Sequence, residues 1–541
     1  MKFNNSDLRY RHNSLRIRAS GDRRKRRERS PGLTASPGAF VPVVADVSPL
    51  KLSSGITPGT EPAHGRGGFL NEFRIHFPAS VSSVASCSMA LSLLLLVGLT
   101  GCATADRNNG KSHGDQMGWD AVPGILARIV PPTFPDRDFD ITQYGAVGDI
   151  TSDIKPALDQ AIAACNAAGG GRVIVPAGDW FIKGPIHLKS HVNLHLAQGA
   201  TINFSTDPSD YEPAVFTRFE GTEVMNLSPL IYAFEQEDIA VTGKGTFNGR
   251  ASRENWWTWR EGKDGIQRAR AYGESNTPVC ERVFGVKDGL RPVFVQPYRC
   301  KNVLIEGVTF RDSPMWFLNP TLCRNVTIRS VSTIGHGPNN DGCDPEASKD
   351  VLIEGCHFDN GDDCIAIKSG RDADGRRVGI PSENLVIRNC RMLDGHGGVV
   401  IGSEMSGGVR NVFAENCEMD SPNLDRALRI KSNSFRGGFV ENVYFRNVKV
   451  GQVADAVFRI NMFYQRDRGT HLPTVRNVTM ENVTSGKSPR AFYFHGIDAL
   501  PIRNVTVRNC QFNNVAEPDV LSGIEDLRLI NVTINGQPRQ P

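Results

Sequence analysis

One ten-residue pattern recurs nine times between residues 301 and 534, and it limits the fold more than any other feature of the chain. In each copy the second residue, here called the anchor, is followed by apolar residues one and three positions later, as in Val303 and Ile305. Apolar residues at alternate positions predict a strand with one buried face. The anchors lie 22 to 35 residues apart, at positions 302, 325, 350, 384, 411, 442, 477, 504 and 526.

Each copy is predicted to bend five residues after its anchor, where six copies have Asn, two have Gly and one has Ser. Small residues of these types suit the left-handed backbone of a sharp bend. Short strands on both sides of a bend, repeated along the chain, predict an all-β parallel β-helix. A helix is predicted from Ile154 to Ala167, with Asp153 as its N-cap and Pro156 in its first turn. It would cap the open N-terminal edge of the coil.

The cysteines follow the repeat. Four of them stand where other copies have Val, so we interpret them as buried apolar residues in an internal stack, with disulfides between coils as the alternative. Cys280 and Cys300 lie in an insertion and are better candidates for a bridge, because the expected compartment is oxidising. The Asn-Val-Thr triplets look like glycosylation sequons, but their Asn serves the repeat. The four stacked cysteines are Cys356, Cys390, Cys417 and Cys510.

The first 135 residues read as three segments ahead of the folded part. Residues 1–78 are interpreted as a disordered extension or one upstream of the true translation start, with a basic nucleic-acid or membrane-surface arm as the alternative. Residues 79–102 resemble an export signal, because their apolar centre at 89–99 is too short to span a membrane. The signal ends in Leu-Thr-Gly-Cys, which resembles a bacterial lipobox and would make Cys102 the lipidated residue; a plain signal peptide is the alternative. Residues 103–135 are predicted to be a polar linker.

The charge distribution argues against a nucleic-acid partner for the folded part. Residues 1–76 hold 14 basic and 6 acidic side chains, whereas residues 77–541 hold 48 basic and 52 acidic ones. The net charge of +4 is therefore a property of the leading segment. We expect residues 136–541 to form one β-helix domain with an insertion at about 205–300, exported to the cell envelope or secreted, and monomeric.

Three aspartates interrupt the pattern at related places. Asp341 precedes the anchor at 350, and Asp362 with Asp363 follows that copy, 21 and 22 residues after Asp341. This is the length of one uninterrupted coil, so the carboxylates should stack on neighbouring coils about 5 Å apart. Carboxylates so close repel, so at least one pKa should rise, which suits a general acid beside an ionised base.

The next two coils add a histidine and two cations. Aligning the strands IAIKS, VVIGS and LRIKS puts His396 above Asp362 and places Arg429 and Lys431 on the strand beside them. Each motif alone is commonly just a solvated turn or strand face. Together, on one face of four successive coils, they predict an acid/base site with cations for an anionic substrate group.

Together these motifs resemble the polygalacturonase family of glycoside hydrolases. They are Asn340-Asp341, Gly361-Asp362-Asp363, Gly395-His396-Gly397 and Arg429-Ile430-Lys431, and the resemblance covers about residues 136–541. It implies a right-handed, pectin-lyase-like β-helix and hydrolysis of α-1,4 galacturonide bonds of pectic polysaccharide, with inversion and without a metal or cofactor.

The same resemblance implies a role for each residue. Asp362 would be the general acid, and Asp341 and Asp363 would activate the water. His396 would tune the acid, while Arg429 and Lys431 would hold the galacturonate carboxylate. Inversion leads us to expect an acid–base separation of about 6.5–9.5 Å.

Two features leave the substrate open. The family usually has Asn-Thr-Asp, whereas this chain has Asn at position 340, which affects substrate identity more than hydrolysis. The 205–300 insertion is rich in Trp and Arg, including Trp256, Trp257 and Trp259. It is either a sugar-stacking wall that narrows the cleft for end-acting cleavage or a structural loop packed on the coil. The arginines of this insertion are represented by Arg260, Arg268 and Arg270.

Two other functions fit the same fold. In a pectate lyase, the cluster of Asp341, Asp344, Asp362 and Asp363 would bind Ca²⁺, which favours oxygen ligands. The second alternative is a non-catalytic β-helix that binds polysaccharide, for which the alignment of the aspartates has no explanation.

Overall fold

The computed structural model describes residues 118–466 and 468–540. The predicted extension, the signal and Cys102 lie outside the described residues. Within the part described, no helix is long and apolar enough to cross a membrane.

The chain winds as a right-handed parallel β-helix, which confirms the predicted fold. The coils stack their strands into three parallel ladders, here called the first, second and third ladders. The first ladder contains the repeat anchors. Its strands are Asp138–Asp140, Gly171–Val175, Val192–Leu196, Glu237–Gly243, Lys301–Glu306, Arg324–Arg329, Lys349–Glu354, Ser382–Arg388, Val409–Glu415, Phe439–Arg446, Thr474–Glu481, Ile502–Phe512 and Ile524–Ile534.

The second ladder follows the bend after each first-ladder strand, and the third ladder completes each coil. The second-ladder strands are Gly178–Ile182, Ala200–Phe204, Thr246–Asn248, Thr309–Arg311, Ser332–Gly335, His357–Asn360, Arg391–Met392, Glu418–Met419, Lys449–Gln452 and Thr484–Lys487. The third-ladder strands are Ile186–His187, Ile231–Phe234, Val295–Tyr298, Ile365–Ile367, Val399–Ile401, Arg426–Lys431, Ala456–Asn461, Arg490–His495 and Val520–Ser522. Single bridges through Leu318 and Cys343 join the two halves of the third ladder.

Asparagine forms the bends of the coil. Every anchor has a left-handed backbone, for example Asn411 with φ 59° and Asn442 with φ 58°. Their side chains form a ladder, in which the amide of Asn442 donates to Asn411 at 3.1 Å and that of Asn477 donates to Asn442 at 3.0 Å. A second row of Asn, from Asn416 to Asn447 and onward, repeats this at the predicted bend. The coil is therefore turned by local Asn chemistry while apolar residues fill its interior.

The cysteine stack is present and its members are free thiols. Cys356, Cys390, Cys417 and Cys510 are all buried in the core, as predicted. The proposed bridge between Cys280 and Cys300 is wrong, because Cys280 is an exposed free thiol and Cys300 is a buried one.

In the described residues four α-helices accompany the coil: α1 (Val122–Leu126), α2 (Lys155–Ala167), α3 (Asp264–Glu274) and α4 (Asp372–Val378). The predicted cap is α2, whose Leu158, Ile162 and Cys165 are buried in the core at the first coils. The N-cap is Ile154 rather than the predicted Asp153, which lies one residue earlier and accepts a hydrogen bond from the Lys155 amide at 2.9 Å. Short 3₁₀ turns occur at Trp119–Ala121, Ile141–Tyr144, Pro208–Tyr211, Trp256–Glu261, Val279–Glu281, Val286–Asp288 and Tyr464–Arg466.

Part of the predicted linker is folded onto the coil. Residues 119–129 form a strap in which Val122, Ile125 and Ile129 are buried against the outer face of the first ladder. The guanidinium of Arg446 lies 3.7 Å from the ring centroid of Trp119. A free tether would make no such contacts. The ladder residues beneath the strap are Leu352, Val386, Phe413 and Tyr444.

The expected insertion at 205–300 is not one insertion. Residues 231–248 form a complete coil, because the strand Glu237–Gly243 pairs with both Val192–Leu196 and Lys301–Glu306. The excursions lie on either side of this coil. The first contains an antiparallel hairpin, Val215–Phe219 with Thr222–Asn226, and the second contains α3.

Candidate active site

The third ladder places the six predicted site residues on four successive coils. Asp341 lies in the turn before the bridge at Cys343, and Asp362 and Asp363 lie in the turn before the strand Ile365–Ile367. His396 precedes the next strand, and its backbone amide donates to the Asp362 carbonyl oxygen at 3.0 Å. In the strand after that, core residues alternate with the outward Arg429 and Lys431. The structure thus brings all six together.

The three aspartates lie closer than expected. One carboxylate oxygen from each of Asp341, Asp362 and Asp363 lies within 4.8 Å of the others. The expected acid–base separation of about 6.5–9.5 Å is therefore wrong for these oxygens. Stacking on adjacent coils sets the spacing, because neighbouring parallel strands are only about 4.8 Å apart.

Asp362 is paired with His396. The Nδ1 of His396 lies 2.8 Å from Asp362 Oδ1, and the two side chains are 52% and 18% exposed. Burial alone would raise the pKa of Asp362, but the hydrogen bond and charge of His396 outweigh it and hold that pKa below its usual range. The same hydrogen bond and the charge of Asp362 raise the pKa of His396 to about 9. In the free site this pair is an imidazolium with a carboxylate that faces the solvent.

Asp363 is fully buried and held by the two cations. Lys431 Nζ donates to Asp363 Oδ2 at 2.6 Å, and Arg429 Nη1 donates to Oδ1 at 3.2 Å. Burial opposes ionisation of Asp363, but Lys431 and Arg429 keep its pKa below the usual value. The ring of Tyr464 faces both cations, with its centroid 5.1 Å from Lys431 Nζ and 5.5 Å from Arg429. Nothing in the sequence motifs pointed to Tyr464.

The charge of Asp341 is less well neutralised by cations than that of Asp363. Its Oδ1 is buried without a hydrogen-bond partner among the described residues, and both oxygens of the neighbouring Asp344 are in the same state. Burial, together with the charges of Asp344 and Asp362, raises the pKa of Asp341 well above its usual value. Burial raises the pKa of Asp344 as well. Of the carboxyl groups in the site, Asp341 and Asp344 are therefore the ones that most favour the protonated form.

Lys368 is the cation that sequence reasoning missed. Its buried Nζ lies 3.5 Å from Asp341, 3.6 Å from Asp344 and 3.6 Å from Glu404. It also lies 4.4 Å from the ring centroid of Trp316. A signal was available, because Lys368 in IAIKS occupies the same place in its strand as Lys431 in LRIKS.

Asn340, which departs from the family pattern, supports the turn. Its Oδ1 accepts from the Gly337 amide at 2.9 Å, and its Nδ2 donates to the carbonyl oxygens of Ser313 and Met315. The buried side chain thus ties the turn that carries Asp341 to the preceding coil.

The tryptophans and arginines of the second excursion are mostly structural. Trp256 is buried in the core, and the Nε1 of Trp257 donates to the Ser313 carbonyl oxygen at 3.0 Å. Trp257 also packs against Gly337, where a Cβ would lie 2.3 Å from the indole. Arg268 and Arg270 are paired with Asp288 and Glu220, and Arg260 donates to Asn339. These contacts support the interpretation as a packed loop.

The first excursion closes the groove on one side of the aspartates. The ring of Phe216 in the 215–226 hairpin lies 5.7 Å from Phe234 and 5.1 Å from Tyr298, two outward residues of the third ladder. Arg218 Nη1 donates to Glu346 at 3.0 Å, with both side chains fully buried. Glu346 is on the coil just before the strand of Lys368. The hairpin also contacts the segment after Lys368, where the Arg371 amide donates to the Gly221 carbonyl oxygen at 3.0 Å. One coil further on, the side chain of His396 is 52% exposed.

Within the part of the chain that the structure describes, two groups of side chains have the spacing of metal ligands. One is Asp341, Asp362 and Asp363, and the other is the more exposed group of His336, Asp359 and Asp394. The first group suits Ca²⁺ poorly, because both oxygens of Asp363 already accept from Lys431 and Arg429.

Comparison with known proteins gives one family. Residues 165–528 match the model of glycosyl hydrolases family 28. The chain is 42% identical to the crystal structure of a hyperthermoactive exopolygalacturonase from Thermotoga maritima, with a TM-score of 0.75 over 77% of this chain and 96% of that one. It is 28% identical to an exo-poly-alpha-D-galacturonosidase from Dickeya chrysanthemi, over 64% of this chain and 63% of that one. It is 29% identical to a probable polygalacturonase from Vitis vinifera over 57% of this chain, and it spans 60% of that relative's length.

Proposed function

The chain belongs to glycosyl hydrolases family 28 and is a glycoside hydrolase, and from this premise we propose that it hydrolyses α-1,4 galacturonide bonds of polygalacturonate with inversion. The observation that carries the proposal is the set of three aspartates, His396 and two cations on four successive coils. Asp362 is the general acid, and Asp341 with Asp363 activates the water.

The proton that the acid needs comes from within the carboxylate group. Burial and the neighbouring carboxylates raise the pKa of Asp341, whereas His396 holds the pKa of Asp362 down, so Asp341 favours the proton more than Asp362 does before substrate binds. A bound galacturonate adds negative charge beside Asp362 and removes water from it, and both effects raise the pKa of Asp362. The proton then resides on Asp362, within 4.8 Å, and leaves Asp341 ionised as base.

The reaction balances on these groups. Asp362 gives its proton to the glycosidic oxygen as the bond between C1 and that oxygen breaks. Asp341 takes a proton from the water whose oxygen forms the new bond to C1 from the opposite face. Asp363 stays ionised between Arg429 and Lys431 and orients the water. The remaining N–H donors of those two cations hold the galacturonate carboxylate.

Closure of the groove supports cleavage from a chain end. The 215–226 hairpin covers the outward face at the coil of Glu346 and also contacts Arg371, which follows the next strand of the third ladder. A polymer that enters from the open side has little room to pass the aspartates. The identity of 42% to an exopolygalacturonase supports the same mode.

The proposal is tested with polygalacturonate and a metal chelator, by following both new reducing ends and the ultraviolet absorbance of unsaturated sugar. We expect reducing ends without absorbance, products of one or two units from the start, and a loss of about 10²–10⁴-fold in Asp362→Asn. Asp359→Asn, which changes a nearby carboxylate outside the triad, is the matched control. Chelator-sensitive absorbance would indicate a Ca²⁺-dependent lyase, and binding without any product would indicate a polysaccharide-binding module.

The location of the enzyme is a separate proposal. The Leu-Thr-Gly-Cys sequence supports export with lipidation at Cys102, which would tether a monomeric enzyme to the cell envelope. Mass spectrometry of the mature N-terminal peptide checks this: a diacylglyceryl mass on Cys102 is expected, and an unmodified peptide that begins elsewhere would contradict it.

A further inference from the structure

The open side of the groove continues for two coils beyond Arg429 and Lys431. In the strand Ala456–Asn461 the residues Phe458 and Ile460 face the core, so Arg459 and Asn461 face outward. Ladder pairing aligns Arg429 with Arg459 and Arg459 with Tyr493. A line of outward side chains therefore runs from the aspartates along the groove.

Arg459 is a cation set on an aromatic ring. Its guanidinium carbon lies 3.9 Å from the ring centroid of Tyr493, and its side chain is 18% exposed. Nη1 is paired with Asp455, but Asp455 also accepts from Arg426 at 2.6 Å. One carboxylate is thus shared by two guanidinium groups, and Arg459 keeps donors that can meet another carboxylate.

A second aromatic pair lies beside this cation. Phe463 is 36% exposed, although it is a large apolar side chain, and its ring centroid lies 4.4 Å from that of His495. His495 pairs in the ladder with Asn461, one strand beyond Lys431. The ring centroid of His495 lies 6.3 Å from that of Tyr493, which links this pair to Arg459. An exposed ring in the same cluster as a guanidinium is a suitable contact for the apolar face of a sugar that carries a charged group.

We propose that Arg459, Tyr493, Phe463 and His495 form a distal subsite for a further uronate unit of the substrate chain, on the open side of the cleavage site. The proposal rests on the proposed hydrolysis of polygalacturonate. Ladder strands are about 4.8 Å apart, comparable with the length of one sugar unit, so each coil can contact a successive uronate. Since the hairpin closes the other side, additional units of a longer chain are bound here.

The test is the dependence of kcat/KM on chain length, from digalacturonate to hexagalacturonate, with the full chain. For the wild type we expect kcat/KM to rise with length up to the tetramer. In Arg459→Ala and Phe463→Ala the loss grows with length, to about tenfold for the tetramer and less than about threefold for the dimer. Phe463→Tyr, which keeps the ring, retains the length dependence.

The control is an arginine outside the groove, and failure of the subsite gives a different result from failure of the proposed hydrolysis. Arg503→Ala removes an exposed arginine of the first ladder that pairs with Glu525, and it leaves the length profile unchanged. An unaltered profile in Arg459→Ala, with a wild-type urea midpoint, overturns the subsite while leaving hydrolysis intact. If the wild type cleaves none of the oligomers, the proposed function itself fails.

Discussion

At the scale of single residues, the site is a set of buried charges that neutralise one another unequally. Asp363 meets two cations, Asp362 meets one imidazole, and Asp341 shares Lys368 with two other carboxylates. This inequality separates the pKa values of neighbouring carboxyl groups, which is what acid/base chemistry between them needs.

The ion pair of His396 is expected to make the free energy of unfolding fall as the pH becomes alkaline. Its pKa in the folded protein is raised to about 9 by Asp362, above its unfolded value of about 6.5. The stabilisation from the ion pair is therefore fully present below about pH 6.5 and is lost as pH rises through 9. We expect the urea-midpoint difference between wild type and His396→Gln to be larger at pH 6 than at pH 10.

The matched control for this titration is His357→Gln, since His357 forms no ion pair in the described part of the chain. A His396→Gln difference that stays constant from pH 6 to pH 10 would show that the ion pair does not form.

The sequence predicted which residues meet in the site, but not how they are paired. The motifs identify Asp341, Asp362, Asp363, His396 and the two cations because their spacing follows the coil. The spacing of motifs along the sequence does not determine distances between side chains within a turn. The predicted acid–base separation was therefore too long. Lys368 was missed although it occupies the same place in its strand as Lys431, whereas Tyr464 was missed because no motif marks it and its role arises only from packing.

At the scale of elements, asparagine residues form the bends between the strands of each coil. An anchor Asn both tolerates positive φ and donates its side-chain amide to the Asn one coil away, so each substitution has two separable effects. The strands contribute the apolar side chains that fill the interior of the coil.

Substitution of Asn442 separates these effects. Asn442→Ala loses the hydrogen bonds with Asn411 and Asn477 and places a Cβ-bearing residue without a polar side chain at φ 58°. We expect a loss of about 2–3 kcal/mol in the free energy of unfolding. Asn442→Gly loses the same bonds without backbone strain and should cost about 1 kcal/mol less than Ala. Equal losses for the two variants, measured by urea denaturation, would contradict the strain argument.

The repeat predicted the coils well wherever Asn was present. The coil at 231–248 was taken as insertion, although Asp238 at φ 51° stands at an anchor and Ile239 and Val241 follow the apolar pattern. It was missed because Lys244 replaces the usual Val or Cys after the bend. The strap was missed because a short amphipathic segment has no repeat to mark it.

At the scale of the whole molecule, the enzyme is a coil with a groove along its third ladder. The hairpin closes one side of this groove beside Glu346. The outward residues Arg429, Arg459 and Tyr493 follow one another along the other side. The aspartates stand between the closed and the open parts. The strap covers an apolar face of a different ladder, so it stabilises the coil without entering the groove.

The central claim is that Asp362 protonates the leaving oxygen while Asp341 and Asp363 activate the water that displaces the sugar with inversion, although one oxygen from each lies within 4.8 Å of the others. Proton NMR of the first product from an oligogalacturonate tests it most directly. We predict that the new reducing end appears first as the β anomer, followed by slow mutarotation, because water attacks from the face opposite the α bond. A first product with the α anomer would indicate retention through a carboxylate nucleophile, and an olefinic proton would indicate elimination; either result would contradict the account.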